Sequence, residues 1–133
     1  MTHERPDPGV GPFGDLLQTR RTLMADGRSR FELVVGPRHL NPYGVVHGGV
    51  LYALVDFAMG GALTSRLGPG ERCATLEIKI NYLAPVSDGP LAAEARVIER
   101  TKRVAVLEAR VESGGGELVA VATGTFYIQA DRS

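Results

Sequence analysis

The chain has 133 residues, a length typical of one domain with its own core. It carries 15 Lys and Arg against 15 Asp and Glu, and this zero formal net charge argues against a nucleic-acid binder. The one cysteine, Cys73, excludes an internal disulfide, and we interpret it as a small buried residue rather than a reactive thiol.

The N-terminal segment is rich in prolines and contains acids, and it lacks the apolar stretch of a secretory signal. We therefore predict a disordered lead-in over residues 1–12 and a single domain over residues 13–130. The longest apolar run lies between Val50 and Leu63, is interrupted by Asp56, and is too short to span a bilayer. We expect a cytoplasmic protein without a membrane partner.

Two elements are predicted before residue 37. Between residues 13 and 25, apolar and charged residues are interleaved as in a short amphipathic helix that stops near Gly27. Residues 30–35, RFELVV, are β-rich and are followed by Gly36-Pro37, which predicts a strand with a break after it. Residues 37–46 are predicted to form a loop.

Residues 47–63, HGGVLYALVDFAMGGAL, predict the central helix. Apolar residues repeat at helical spacing, and a second face is also apolar apart from Asp56, so the helix should be buried on nearly every side. Gly68-Pro69-Gly70 ends the segment. Because an unpaired carboxylate in apolar surroundings is costly, Asp56 needs either a structural partner or a chemical role.

Four strands are predicted after the helix, in the segments ATLEIKINYLAP, LAAEARVIER, RVAVLEARVES and ELVAVATGTFYIQ. Apolar and polar residues alternate along the first three, and short turns between consecutive strands favour antiparallel pairing. The predicted fold class is α+β, with an antiparallel sheet of about five to six strands, one buried helix laid across it, and a short N-terminal helix. Such a sheet covers one side of the helix, so we expect self-association.

The start of the central helix has features that suit acyl transfer. Adjacent Gly48 and Gly49 allow close approach to the backbone, and the free N–H groups of a first helical turn attract negative charge. Asp56 could serve as a base for water or as a nucleophile. A purely structural interpretation stays open: the glycines would serve packing, and the acid would bind backbone N–H groups or an arginine.

Gly48 and Asp56 cannot act on one atom within a single copy of the chain. A helix rises 1.5 Å per residue, so the two residues lie about 12 Å apart along the axis. If they share a substrate carbonyl they must come from different subunits, and a two-fold dimer would then hold two equivalent sites. His47 suits a hydrogen bond at the helix start, and with His3 and His39 it shows no metal-binding spacing, so no metal site is predicted.

The motif Asn41-x-x-Gly44-x-x-His47-Gly48-Gly49, with Asp56 nine residues after the histidine, resembles the hotdog-fold acyl-CoA thioesterases of the PaaI type. The strand ending in Asn81-Tyr82-Leu83-Ala84-Pro85 adds to the resemblance, which covers about residues 31–128. It implies a long helix wrapped by an antiparallel sheet, and homodimers that pair into tetramers. It also implies hydrolysis of phenylacetyl-CoA or another aromatic or medium-chain acyl-CoA to the free acid and CoA, without a cofactor.

The same resemblance implies roles for individual residues. The Gly48 N–H would polarise the thioester carbonyl, and Asp56 of the opposite subunit would be the nucleophile or general base. Asn41 and His47 would support the thioester end of the site, and Thr75 would help to hold the water. The residues expected to bind the substrate or the CoA phosphates are Gly49, Tyr82, Pro85, Arg100, Lys102 and Arg103.

Two alternative functions remain open at this stage. A hydratase or dehydratase on the same fold would act on acyl-CoA or acyl-carrier protein, but its acid and histidine belong to a different motif. A noncatalytic acyl-CoA-binding module would keep the fold and the cations and tolerate loss of Asp56. The acyl group, the pathway and the choice between dimer and tetramer are not set by the sequence.

Overall fold

The structure is a computed structural model, and it describes residues 9–130. Residues 1–8, which hold most of the predicted lead-in, lie outside the described residues. The helices are α1 (Gly11–Leu16) and α2 (Gly48–Thr64), with a short 3-10 turn at Pro37–His39. The strands are β1 (Arg20–Ala25), β2 (Arg28–Val34), β3 (Glu71–Tyr82), β4 (Pro90–Arg100), β5 (Val104–Ser113) and β6 (Leu118–Ala130).

The six strands form one antiparallel sheet in the order β1-β2-β4-β5-β6-β3. The α+β prediction is therefore confirmed, and β4, β5 and β6 pair consecutively as their short turns indicate. β3 instead pairs with β6, and β2 pairs with β4, so the two edges of the sheet are β1 and β3. No helix in the described part of the chain is long and apolar enough to cross a membrane.

Helix α2 packs against the inner face of the sheet and supplies much of the core. Its residues from Leu54 to Leu63 include six that are completely buried: Leu54, Val55, Ala58, Met59, Ala62 and Leu63. The burial inferred from a helix that is apolar on nearly every side is confirmed for the side that meets the sheet.

Gly124 on β6 allows α2 to lie close to the sheet. A Cβ atom added at this position would lie 2.6 Å from Met59 Sδ and 3.3 Å from Glu77 O. The first of these distances is too short for a real Cβ contact, and Met59 is fully enclosed, so a side chain here would force the helix away from the sheet. The position of α2, and with it every residue that the helix carries, depends on this absent side chain.

The helix predicted over residues 13–25 is wrong beyond Leu16. Helix α1 ends there, and Gln18 has a φ of 57°, a left-handed conformation that cannot continue a helix. Residues 20–25 form β1, joined to β2 by a turn in which Asp26 and Gly27 have φ values of 54° and 78°. Asp-Gly is the sequence signal for such a hairpin turn. Over six residues, the apolar pattern fits both the two-residue period of a strand and the 3.6-residue period of a helix.

Candidate active site

His47 caps the N-terminus of α2. Its Nδ1 accepts a hydrogen bond of 2.8 Å from the Gly49 N–H, and its carbonyl accepts one of 2.9 Å from the Val50 N–H. The Gly48 N–H, in contrast, donates no hydrogen bond to any of residues 9–130. Because the N-terminal end of a helix carries partial positive charge, this N–H is a donor ready for a negatively charged oxygen.

Tyr82, at the end of β3, covers Gly48. The Tyr82 hydroxyl donates a hydrogen bond of 2.9 Å to the Gly48 carbonyl. A Cβ atom added at Gly48 would lie 3.2 Å from the Tyr82 ring, so the glycine is explained by this close contact. Burial raises the pKa of Tyr82, and nearby Tyr52 raises it further, so the hydroxyl stays protonated and keeps donating at neutral pH.

Asp56 lies two turns further along α2, on the side that faces β3. The Thr75 hydroxyl donates a hydrogen bond of 2.7 Å to Asp56 Oδ1. Asp56 is half-buried, and both side chains line a cavity of about 270 Å³. The structure therefore brings Asp56 and Thr75 together, whereas Gly48 lies about 12 Å away along the same helix.

Asn41 shapes the loop before α2. Its Oδ1 accepts hydrogen bonds of 2.9 Å from the Tyr43 N–H and 3.4 Å from the Val45 N–H. Gly44 closes this turn with a φ of 83°, which favours glycine. The spacing Asn41-x-x-Gly44 therefore serves the shape of the turn that precedes α2.

His39 is a residue that sequence reasoning missed. It is buried, its Nδ1 accepts a hydrogen bond of 2.9 Å from the Gly36 N–H, and its Nε2 donates one of 2.8 Å to the Leu17 carbonyl. Its own carbonyl accepts a hydrogen bond of 2.8 Å from the His47 N–H. His39 thus ties the end of α1 to the start of α2, and a lone histidine in a loop gave no signal for this role.

The three cations of the β4–β5 junction differ in their surroundings. The Arg100 guanidinium pairs with the Glu71 carboxylate at 3.2 and 3.3 Å. Lys102 and Arg103 are exposed, and with Arg72 they line a groove of about 590 Å³ at the end of the β3–β6 pair. The sequence did not indicate Arg72 as part of this group, because only the register between β3 and β6 brings it beside the β4–β5 turn.

Gly49 and Pro85 are the two remaining residues that were predicted to bind the substrate. Gly49 is the second residue of α2, and Pro85 lies just after β3. Gly49 is exposed, and His47 occupies its N–H, so it has no backbone donor left for a substrate. Pro85 is exposed in the segment after β3. Among the residues predicted to bind substrate or CoA, Tyr82 is the one whose side chain contacts Gly48 at the start of α2.

The model of a protein family described as the thioesterase superfamily matches residues 43–120, more than half of the chain. The chain belongs to the thioesterase superfamily. It is therefore a thioester hydrolase with the hotdog fold, which confirms the fold and the class of enzyme inferred from the motif.

Solved structures and curated relatives agree with this assignment. This thioesterase is 36% identical to the conserved protein PA5202 from Pseudomonas aeruginosa, with a TM-score of 0.86 over 90% of this chain and 94% of that one. It is 32% identical to a mutant of the phenylacetic acid degradation protein PaaI from Thermus thermophilus, with a TM-score of 0.80 over 87% and 97%. The 1,4-dihydroxy-2-naphthoyl-CoA hydrolase of Listeria monocytogenes is 27% identical over 80% of this chain and 86% of its own length.

The thioesterase thus presents two separate half-sites on one helix. The first is the Gly48 N–H with Tyr82 beside it, which offers a donor for an oxyanion. The second is Asp56 with Thr75, which offers a carboxylate held by a hydroxyl donor. Neither half-site alone supplies both the electrophilic stabilisation and the base or nucleophile that hydrolysis of a thioester needs.

Proposed function

We propose that the protein hydrolyses acyl-CoA thioesters at a site shared between two subunits. The Gly48 N–H of one subunit stabilises the oxyanion, and Asp56 of the other is the general base or nucleophile. The observation that carries this proposal is the Gly48 N–H, which has no acceptor among residues 9–130 although its neighbours are engaged. The CoA thioester is favoured because a relative of this chain bears the name of a naphthoyl-CoA hydrolase.

Two routes give the same products. In the first, Asp56 takes a proton from water, the hydroxide adds to the thioester carbonyl, and the Gly48 N–H holds the resulting oxyanion. The C–S bond then breaks, and the CoA thiolate receives the proton from Asp56. In the second, the Asp56 carboxylate adds to the carbonyl and expels the thiolate, and water then hydrolyses the mixed anhydride.

The path of β3 explains how two copies can complete the site. β3 runs beside α2 in the opposite direction: Tyr82 contacts Gly48, and Thr75 contacts Asp56. The middle of β3 between these two contacts falls at Ile78 and Lys79. A two-fold axis through this point exchanges the ends, so Gly48 of each copy comes near Asp56 of the other.

The charges of β3 favour one register of such a pair. With the axis at Ile78, Glu77 lies opposite Lys79 of the partner subunit, and the opposite charges stabilise the pairing. With the axis at Lys79, two lysines would face each other. β3 is an edge strand, and exposed apolar side chains lie along it at Leu76 and Tyr82, so a second copy would cover backbone and apolar groups together. The tetramer implied by the motif stays a prediction.

Mixing two inactive variants tests the shared site. Gly48→Pro removes the proposed donor and Asp56→Asn removes the proposed base, so each homodimer has two damaged sites. A dimer of one copy of each has one site with both changes and one intact site, so purified heterodimers should have about half of the parental activity. The measurement is thiol release by heterodimers purified with two different tags. If purified heterodimers are as inactive as either homodimer, the two residues do not share a site across subunits.

We also propose that Lys102 and Arg103 bind phosphate groups of CoA, with Arg72 beside them. These cations are exposed and line one groove, whereas Arg100 is already paired with Glu71. A Lys102→Ala, Arg103→Ala double variant should raise the KM for an acyl-CoA severalfold, as expected for partly screened ion pairs. The matched control is the pantetheine thioester of the same acyl group, which lacks those phosphates, and its KM should not change. An equal rise in KM for both substrates would refute the assignment.

A further inference from the structure

A cavity of about 270 Å³ opens beside Asp56, between the second half of α2 and the first half of β3. Asp56, Thr75 and Arg21 form part of its wall, and the rest is largely apolar, with Val10, Met24 and the rings of Phe31, Phe57 and Phe126. A cavity of about 150 Å³ can hold a benzene molecule, so this one accommodates a ring together with the atoms that link it to a carbonyl. The cavity is continuous with Asp56, where the proposed function places the thioester carbonyl.

Gly60 lies in the wall of this cavity, four residues after Asp56 and therefore on the same face of α2. Among residues 9–130, a Cβ atom added at Gly60 would find only Phe126 Cε2, at 4.0 Å, so the position borders open space. Glycine is unfavourable inside a helix compared with alanine, and no close contact at this position requires it. The effect of having glycine at position 60 is that the cavity is larger than it would be with any other residue there.

The neighbouring Gly61 is a contrast within the same helix. A Cβ atom at Gly61 would lie 2.9 Å from Ser29 Oγ and 3.1 Å from Phe31 Cε1. The Ser29 hydroxyl also donates a hydrogen bond of 2.7 Å to the Ala58 carbonyl, which holds β2 against α2 at this point. Gly61 is therefore explained by helix–sheet packing, and Gly60 is not.

We propose that Gly60 determines how large an acyl group the enzyme accepts. The inference rests on the proposed function, because it places the thioester carbonyl at Asp56 and the acyl group along α2. Gly60 lies four residues, about one helical turn, from Asp56, which is about 6 Å along the axis and within reach of the first atoms beyond the carbonyl. A side chain at this position occupies the space that a ring or a longer chain needs, whereas a short acyl group still fits in the space that remains.

The kinetic test compares Gly60→Ala and Gly60→Leu with the parent on acetyl-CoA, octanoyl-CoA and phenylacetyl-CoA. The ratio of kcat/KM for phenylacetyl-CoA to that for acetyl-CoA should fall by about tenfold or more in Gly60→Leu, and by less in Gly60→Ala. Gly115→Leu is the matched control, because Gly115 is in an exposed turn where an added Cβ has no atom of the described residues within 4 Å. A ratio that is the same in Gly60→Leu and the parent overturns the proposal.

Gly60→Ala also separates a change of preference from a loss of folding. It replaces a helical glycine where there is space, so its Tm should equal or exceed that of the parent. A lower ratio in a variant that is at least as stable cannot be attributed to unfolding. A variant with a lower Tm and an unchanged ratio would show that Gly60 serves packing, which contradicts the proposal.

A binding test distinguishes failure of this inference from failure of the proposed function. The probes are S-phenethyl-CoA and S-ethyl-CoA, thioethers that cannot be hydrolysed, and calorimetry gives their Kd values. The parent should prefer the phenethyl probe, and Gly60→Leu should lose that preference. If this pattern holds while no thioester is hydrolysed, the proposed CoA thioesterase function fails and the cavity assignment stands. Equal preference in both proteins refutes the role of Gly60, whatever the hydrolysis assay shows.

Discussion

Asp56→Asn is expected to lower kcat for every acyl-CoA that the parent hydrolyses, by about a hundredfold to ten-thousandfold. Asparagine keeps the shape of the side chain and an oxygen that can accept the Thr75 hydrogen bond, so the local geometry should survive. The amide has no basic oxygen that can take the proton from water, and it is a poor nucleophile toward a thioester. The assay follows thiol release from phenylacetyl-, hydroxybenzoyl-, short-chain and medium-chain CoA thioesters.

Asp88→Asn is the matched control for this change, because it removes the same charge from an exposed residue before β4. It should hydrolyse the panel at the parental rate. Binding of CoA to Asp56→Asn, measured by calorimetry, should be retained, which separates loss of chemistry from loss of the ligand. Hydrolysis at the parental rate by Asp56→Asn would show that the acid is structural and that the mechanism is wrong.

Gly48→Pro is expected to lower kcat about a hundredfold to a thousandfold relative to Gly48→Ala, the loss typical of one oxyanion donor. Both variants add a Cβ atom about 3.2 Å from the Tyr82 ring, so they share the cost of that contact, but only proline removes the N–H. Gly48 is the first residue of α2, a position that tolerates proline, and His47 before it has the extended backbone that proline requires.

The comparison is made by steady-state kinetics on one acyl-CoA, with helix content and Tm measured for both variants. Similar Tm values together with a large difference in kcat would assign the loss to the missing donor. Equal kcat values for the proline and alanine variants would mean that the Gly48 N–H does not stabilise the transition state. In that case the free donor at the start of α2 would have no part in the reaction.

Local chemistry in the sequence was sufficient to predict the central helix and the later strands. A helix that is apolar on nearly every side must be buried, and the energetic cost of a carboxylate within it is enough to indicate a partner or a role. The apolar pattern of residues 20–25 fits a helix as well as a strand, and the Asp26-Gly27 turn is the feature that distinguishes the two. β3 pairs with β6. The alternation of apolar and polar residues along β3 would be the same with any partner strand, so the sequence does not identify β6 as its partner.

The features of the site that the sequence did not reveal depend on residues that are far apart in the chain. The contact of Tyr82 with Gly48 spans 34 positions, and the bond from His39 to Leu17 spans 22. The cavity at Gly60 exists because several elements leave space there. The sequence alone does not show whether the space beside a glycine is filled by a neighbouring residue or is empty. Register and packing decide these points, and neither has a local signature.

The two glycines that face the core and the cavity differ in how freely they can change during evolution. Gly124 is locked to Met59, so a larger residue at either position must be matched by a smaller one at the other to keep the fold. Gly60 meets no such constraint. On the proposal made for it, the preference for an acyl group can drift through single substitutions at one helical position while the rest of the helix stays fixed against the sheet. The scaffold therefore separates the residues that conserve the fold from the residue through which new substrates can be explored.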